Sequence, residues 1–307
     1  MAKLKYTKED LKRLQSLSLE EKIAMSKLLI TEWYEHWQGK VCVSYSGGKD
    51  STVLLKLVRE VYPEVPAVYV DTRLDFPEVR EHVKATDNVV FLKPEMSFRE
   101  VIDKHGFCYP SKEVARHIES ARSGNIAALK RFEGKNADDT ENIFFERNYT
   151  KWKYLIDLPF LISDKCYNIM KEKPLVRYQK EMGLKPYMGV LASESFRRRY
   201  AWYQTGFNSF SNNKSKPLSI WTEQDILRYI VEHKVKIPSV YGDIVEVKDK
   251  LQTTGEKRTG CIFCPIASHL EKKNKFQRLK ESHLSLYNYC MSELGLDEFL
   301  TAVGVAH

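Results

Sequence analysis

Residues 43–57 read VSYSGGKDSTVLLKL: a β-type apolar run, two glycines, a lysine, an aspartate, a serine, and then a helical run. Glycines between a strand and a helix let the backbone close on a ligand. The amides of a helix N-terminus, with about half a positive charge from the helix dipole, favour an anion there. Gly47 and Gly48 permit close approach, Lys49 can neutralise an oxyanion, and the hydroxyls of Ser46 and Ser51 can donate to it. The spacing is neither that of a Walker A loop, G-x-x-x-x-G-K-[ST], nor that of a G-x-G-x-x-G dinucleotide loop.

Outward from this loop, strands and helices alternate. Lys40–Ser46 reads as a strand and Ser51–Val61 as a helix. VPAVYVDT (65–72) and NVVFLKP (88–94) read as strands around a helix that begins at FPEVREHV. KPYMGVLAS (185–193) and KPLSIW (216–221) are two more strand candidates, and TEQDILRYIVEHK is a helix with a threonine cap and an acidic first turn. Such alternation implies a parallel sheet with helices on its faces. Residues 1–38 form a helical arm, in which TKEDL and SLEEKI supply N-caps followed by acidic first turns. Residues 39–245 read as the main domain built around this loop, with a polar, helical insertion near 108–182. Residues 246–307, where glycine, lysine and cysteine replace the sheet pattern, form a C-terminal lobe.

The chain has 307 residues, 43% of them hydrophobic and 29% charged, ordinary values for a globular protein. No stretch approaches the roughly 20 apolar residues of a membrane span, and the N-terminus has no secretory pattern. A cytoplasmic setting is expected. The net charge of +8 favours an anionic partner, although solvated lysines give the same balance.

SGGKDS (46–51) is the signature of the PP-loop ATP pyrophosphatase superfamily, which this segment closely resembles. The resemblance implies a doubly wound parallel sheet of the adenine nucleotide alpha hydrolase type. It also implies cleavage of ATP between the α and β phosphates, with Lys49 and Asp50 handling the pyrophosphate and its Mg²⁺. YVDTRLDFPE, containing Asp71, is similar to a segment of phosphoadenylyl-sulfate (PAPS) reductases, and places Asp71 near the adenosine or the Mg²⁺. GVLASESFRRRYAW (189–202) resembles the G-x-x-x-x-E-S-x-x-R segment of the same branch. Glu194 and Ser195 would sit at a helix start, with Arg198 one turn later facing a phosphate or sulfate.

Of six cysteines, Cys42 lies in an apolar strand and reads as a core residue. Cys261-x-x-Cys264 alone fits zinc, an iron–sulfur cluster or a redox pair. Cys166 and Cys290 bring the set to four, the number a [4Fe–4S] cluster takes. Iron–sulfur sulfonucleotide reductases carry a Cys-Cys pair upstream of such a C-x-x-C. Cys166 and the 261/264 pair match three of those positions, but the neighbours Lys165 and Tyr167 are not cysteine, so Cys290 is the candidate fourth ligand. Zinc is the lesser alternative. Cys108 reads as a core thiol or a sulfur carrier.

Two reactions fit the branch. In one, ATP adenylates a substrate and a sulfur nucleophile then displaces AMP, as in tRNA- and DNA-modifying members, including the DNA phosphorothioation sulfurtransferases. In the other, a sulfonucleotide (PAPS or APS) is reduced. The complete loop signature, and a C-terminal LTAVGVAH without the reductases' cysteine tail, favour the first. A non-catalytic nucleotide- or nucleic-acid-binding module is the third alternative. Its stacking residues would be Trp202, Tyr203, Phe207 and Phe210, which core packing explains equally well. The implied partners are an adenine nucleotide and either a nucleic acid or a sulfur-donor protein.

Overall fold

A computed structural model describes residues 4–307; the first three residues of the predicted arm lie outside them. The chain divides into two compact units, each discontinuous in sequence. The first takes residues up to 71, 75–93 and 174–259; the second takes 72–74, 94–173 and 260–307.

The first unit holds a sheet of β1 (Val41–Ser44), β2 (Ala67–Val70), β3 (Val89–Leu92), β4 (Lys185–Met188), β5 (Asn208–Ser209) and β6 (Lys214–Ser215). Its order is β3-β2-β1-β4-β6-β5, parallel except for β5 at the edge. The strands are short apolar runs, and Val41, Cys42 and Val43 are fully buried, as parallel strands covered on both faces must be. The order reverses at β1. Ser44 is in register with Val68 of β2 and Met188 of β4, so three chain segments leave the sheet side by side at its carboxyl edge. In doubly wound sheets this switch point is where ligands bind.

Helices α1 (Lys8–Gln15) and α2 (Leu19–His36) start in capping boxes, Thr7 with Asp10 and Ser18 with Glu21. They belong to the first unit rather than standing off as a separate arm. The reason is burial: Ile30 and Trp33 of α2 are wholly covered, and Tyr187 of β4 donates its hydroxyl to the Ile30 carbonyl at 2.7 Å. Lys22 is buried as well, its ammonium 2.8 Å from both Asp225 Oδ2 and the Gln15 carbonyl. Helices α3 (Lys49–Val61) and α4 (Pro77–Lys84) follow β1 and β2.

Two expectations are corrected here. Residues 216–221 are not a strand: pairing stops at Ser215, and bonds from Ser219 N to Lys216 O and from Trp221 N to Leu218 O fold the segment into turns. Its apolar character serves burial, since Leu218, Ile220 and Trp221 lie in the core. Nor does strand structure end at residue 245. β7 (Ile244–Val247) and β8 (Lys250–Thr253) form a hairpin on a two-residue turn, with Lys248 and Asp249 both at positive φ.

The second unit is mostly helical. Residues 94–173, which hold most of the expected insertion, and residues 260–307 form it together. Ile118, Phe132, Leu155, Phe276, Phe299 and Leu300 make its core. Arg122 donates to the carbonyls of Leu155, Ile156, Leu158 and Phe160 at 2.6–2.9 Å, which fixes the irregular chain leading to Cys166.

Candidate functional site

The glycine loop occupies the turn from β1 into α3. Gly47 has φ +71°, and Gly48 caps α3 without a side chain, so the first amides of the helix face outward to other partners. Lys49 N donates to the Tyr241 hydroxyl at 3.1 Å, and that hydroxyl shares a 2.9 Å hydrogen bond with Thr259 Oγ1. Ser51 Oγ donates to the Gly48 carbonyl at 2.9 Å and lies 3.0 Å from Ser46 Oγ. Ser46 is exposed, while Lys49 and Ser51 are buried. The Lys49 ammonium donates to the Lys257 carbonyl at 2.9 Å and stands 3.3 Å from Glu223 Oε1.

Asp50 is the uncompensated group. Its Oδ1 is buried and has no hydrogen-bond partner among the described residues. Burial raises its pKa, with Lys49 lowering it, Glu223 raising it again, and Arg258 and Arg198 lowering it. An unsatisfied buried carboxylate oxygen costs on the order of 1–3 kcal/mol or more, a cost that a cation placed there would offset.

The segment after β4 reaches the same edge. Ser195 caps the helix Phe196–Thr205 by accepting from Arg198 N at 3.2 Å, as the motif predicts. Glu194 accepts from Leu191 N at 3.2 Å, pairs with Arg198, and has the Arg258 guanidinium 3.8 Å away. Lys49, Asp50, Glu194, Arg198, Glu223 and Arg258 thus make a balanced cluster of three bases and three acids around the loop. Asp71 stands differently. Both its oxygens are taken in a fork by Arg80 Nε and Nη2 at 3.0 Å, so this carboxylate is already neutralised. The loop's companions Tyr241, Thr259, Lys257, Arg258 and Glu223 were missed from the sequence. The basic stretch EKRTG (256–260) was their only local signal.

The aromatic group does not form a stacking surface. Trp202 and Phe207 are buried with ring centroids 5.7 Å apart, Tyr6 covers Trp202 at 4.8 Å, and Phe210 stacks on Trp33 at 5.3 Å.

No disulfide joins any of the cysteines. Cys42 is a core thiol, with burial pushing its pKa up to about 12. In the second unit, the Cys166 thiol is pushed up to about 12 by burial and then by Cys261 and Cys264. The Cys108 thiol is raised by burial and then by Cys264 and Cys166. Lys112 feels Cys108, Cys264 and Cys261, although burial outweighs them and lowers its pKa. The structure therefore gathers Cys108, Cys166, Cys261 and Cys264. Cys290, also pushed up to about 12, is shifted by burial and offset by Lys275. Among the described residues, no three His, Cys, Asp or Glu side chains are closed on one point as a bound metal requires.

A glycine loop at the switch point of a doubly wound sheet defines an adenine nucleotide alpha hydrolase-like, PP-loop protein. The model of the phosphoadenosine phosphosulfate reductase domain matches residues 40–107 and 87–267, and the chain belongs to that family. An uncharacterized protein of Methanocaldococcus jannaschii is 24% identical over 94% of this chain, which spans 57% of that relative's length. Adenosine 5′-phosphosulfate reductases of Anoxybacillus flavithermus (22% identical, 80% of this chain and 81% of the relative) and Bacillus subtilis (26%, 49% and 65%) are also similar. The crystal structure of a PAPS reductase from Candida auris matches with TM-score 0.41 and 17% identity, over 81% of this chain and all of that one. No helix among the described residues is long and apolar enough to cross a membrane.

Gly47 gives the first test of the loop. A Cβ there would meet Val83 Cγ2 at 2.5 Å and Val79 Cγ1 at 2.8 Å, in a backbone conformation that L side chains rarely adopt. Gly47→Ala is expected to destabilise the protein by about 2 kcal/mol, from the positive φ and the crowding of α4. Urea unfolding measures this; an unchanged midpoint would refute it.

Proposed function

We propose that the chain binds ATP at residues 46–51, adenylates an acceptor and so prepares it for sulfur transfer, releasing pyrophosphate. The observation that carries this reading is Asp50. Its buried, unsatisfied oxygen lies beside Lys49 at the mouth of β1, a pairing suited to a cation and a phosphate chain together. A sulfonucleotide has no β,γ-pyrophosphate to use it.

The residues divide the work by position. The loop amides and the Ser46 and Ser51 hydroxyls hold the α-phosphate where the acceptor oxygen attacks phosphorus. The Pα–O bond to the β-phosphate breaks, and Lys49 meets the charge developing on the departing pyrophosphate. Arg198, swung from Glu194, offers a planar fork to a phosphate oxygen. Asp50 is suited to hold Mg²⁺, which when bound would neutralise the leaving phosphates. A sulfur nucleophile then attacks the acceptor atom that bears the adenylated oxygen, the bond to that oxygen breaks, and AMP leaves with it. The gathered thiols of the second unit fit a [4Fe–4S] cluster better than zinc, because the C-x-x-C has no second close pair; when bound, a cluster held by four thiolates would supply one-electron redox chemistry rather than an open iron. A cytoplasmic setting suits such thiols, and the net positive charge suits a tRNA or DNA acceptor, or an acidic sulfur-donor protein.

Reduction of a sulfonucleotide is the second reading, favoured by the names of the bacilli relatives. One assay separates the two. Purified protein is given ATP or adenosine 5′-phosphosulfate with a thiol reductant, and pyrophosphate and sulfite are measured. Pyrophosphate from ATP, stimulated by a tRNA or DNA fraction, is expected. Sulfite without pyrophosphate would replace the first reading by the second.

A further inference from the structure

We propose that Cys108 completes a four-thiolate centre with Cys166, Cys261 and Cys264, and that Cys290 takes no part in it. The inference rests on the cluster reading given above and names its fourth ligand.

The backbone brings the four together. Phe107 N donates to the Leu161 carbonyl at 3.0 Å, and Ser163 N donates to the Phe107 carbonyl at 3.1 Å, a single parallel rung centred on Phe107 and Ile162. Ser163 Oγ strengthens the joint by donating to the His105 carbonyl at 2.7 Å. Cys166 follows three residues later. Beyond Cys108, the Pro110 carbonyl accepts from Ala267 N at 3.1 Å, and Ala267 lies three residues past Cys264. Cys264 N in turn donates to the Cys261 carbonyl at 3.2 Å and closes the C-x-x-C turn. The segment carrying Cys108 is therefore pinned on one side to the chain entering Cys166, and on the other to the chain leaving Cys264. Cys290 lies in a π-helical turn, Tyr289–Glu293, whose Tyr289 ring packs 5.8 Å from Phe263, but among the described residues no backbone hydrogen bond ties that turn to the segments of Cys108, Cys166 or the C-x-x-C.

A cysteine in a core is ordinarily a small apolar residue, and Cys290, fully buried, fits that description. Cys108, Cys166 and the C-x-x-C pair differ from it in lying on segments that the hydrogen bonds above hold to one another. Because the sulfurs are not yet closed on one point, loading requires side-chain rotation about χ1. Each iron–sulfur bond formed releases one thiol proton to solvent.

The full chain is reconstituted anaerobically with iron and sulfide as wild type, Cys108→Ser and Cys290→Ser, and iron, sulfide and visible absorption are measured beside circular dichroism. Wild type and Cys290→Ser are expected to hold about four irons. Cys108→Ser is expected to lose at least half of its iron, or to convert to a three-iron form detectable by electron paramagnetic resonance. Wild-type iron content and spectrum in Cys108→Ser would overturn the assignment. Should that variant fail to fold, alkylation of the wild type in denaturant decides. Loading should protect Cys108, Cys166, Cys261 and Cys264 while leaving Cys42 and Cys290 reactive, and equal labelling of Cys108 with and without metal would refute the proposal. A wild type that takes no iron overturns the cluster reading itself. Zinc bound with the same four thiols protected would sink that reading and leave the ligand set standing.

Discussion

Lys49→Ala is expected to lower ATP-dependent pyrophosphate release by roughly 10²–10³-fold, the usual effect of removing one group aimed at charge that develops in the transition state. The lysine is buried, and its ammonium is the cation at the entry of α3. Its hydrogen bond to the Lys257 carbonyl means that truncation also leaves that carbonyl without its ammonium partner, while the exposed Glu223 carboxylate turns to water. That adds a stability loss of about 1–2 kcal/mol, so circular dichroism must show the variant folded before turnover is compared. Lys49→Arg, which keeps the charge, is expected to recover part of the rate. Its recovery separates loss of charge from loss of packing. Turnover by Lys49→Ala equal to wild type would remove the loop from the chemistry.

What could be read in advance was local. SGGKDS spans the turn from β1 into the first residues of α3 because a continuous apolar run marks the strand, 3.6-residue periodicity marks the helix, and glycines punctuate the change. The cap at Ser195, with Arg198 three residues on, is equally a matter of adjacent residues. What escaped was distant in sequence. Tyr241 caps the amide of Lys49 from 192 residues away, and no pattern around either residue announces the pairing. The rung between Phe107 and Ile162, which brings the Cys108 segment to the chain entering Cys166, pairs residues 55 apart with no shared pattern. The Asp71–Arg80 fork crosses the turn from β2 into α4, a pairing that no residue pattern around Asp71 announces. The hairpin 244–253 was hidden because its residues are mostly exposed and its turn uses Lys248 and Asp249 in place of glycine. The second unit is built from pieces far apart in the chain, so composition could show where sheet pattern gives way but not which pieces fold together.

Gly106→Ala is expected to be the most damaging single methyl in the second unit. Gly106 ends the helix Phe98–His105 at φ +72° and ψ −167°, a region that only glycine occupies freely. A Cβ there would fall inside the contact radius of the Leu161 carbonyl, a backbone group with no rotamer to escape into. That carbonyl already accepts from Phe107 N, so moving it breaks the rung that seats Cys108. The backbone conformation costs on the order of 1–3 kcal/mol, and relief of the overlap costs a similar amount. The sum, about 2–6 kcal/mol, compares with a total stability of roughly 5–15 kcal/mol for a typical protein. The measurable result is a large drop in the denaturant midpoint, with metal loading falling in parallel because Cys108 loses its anchor. A variant that keeps the wild-type midpoint would show that the 106–107 turn can relax without the Leu161 contact. Loss of stability with metal loading intact would instead detach the rung from the placement of Cys108.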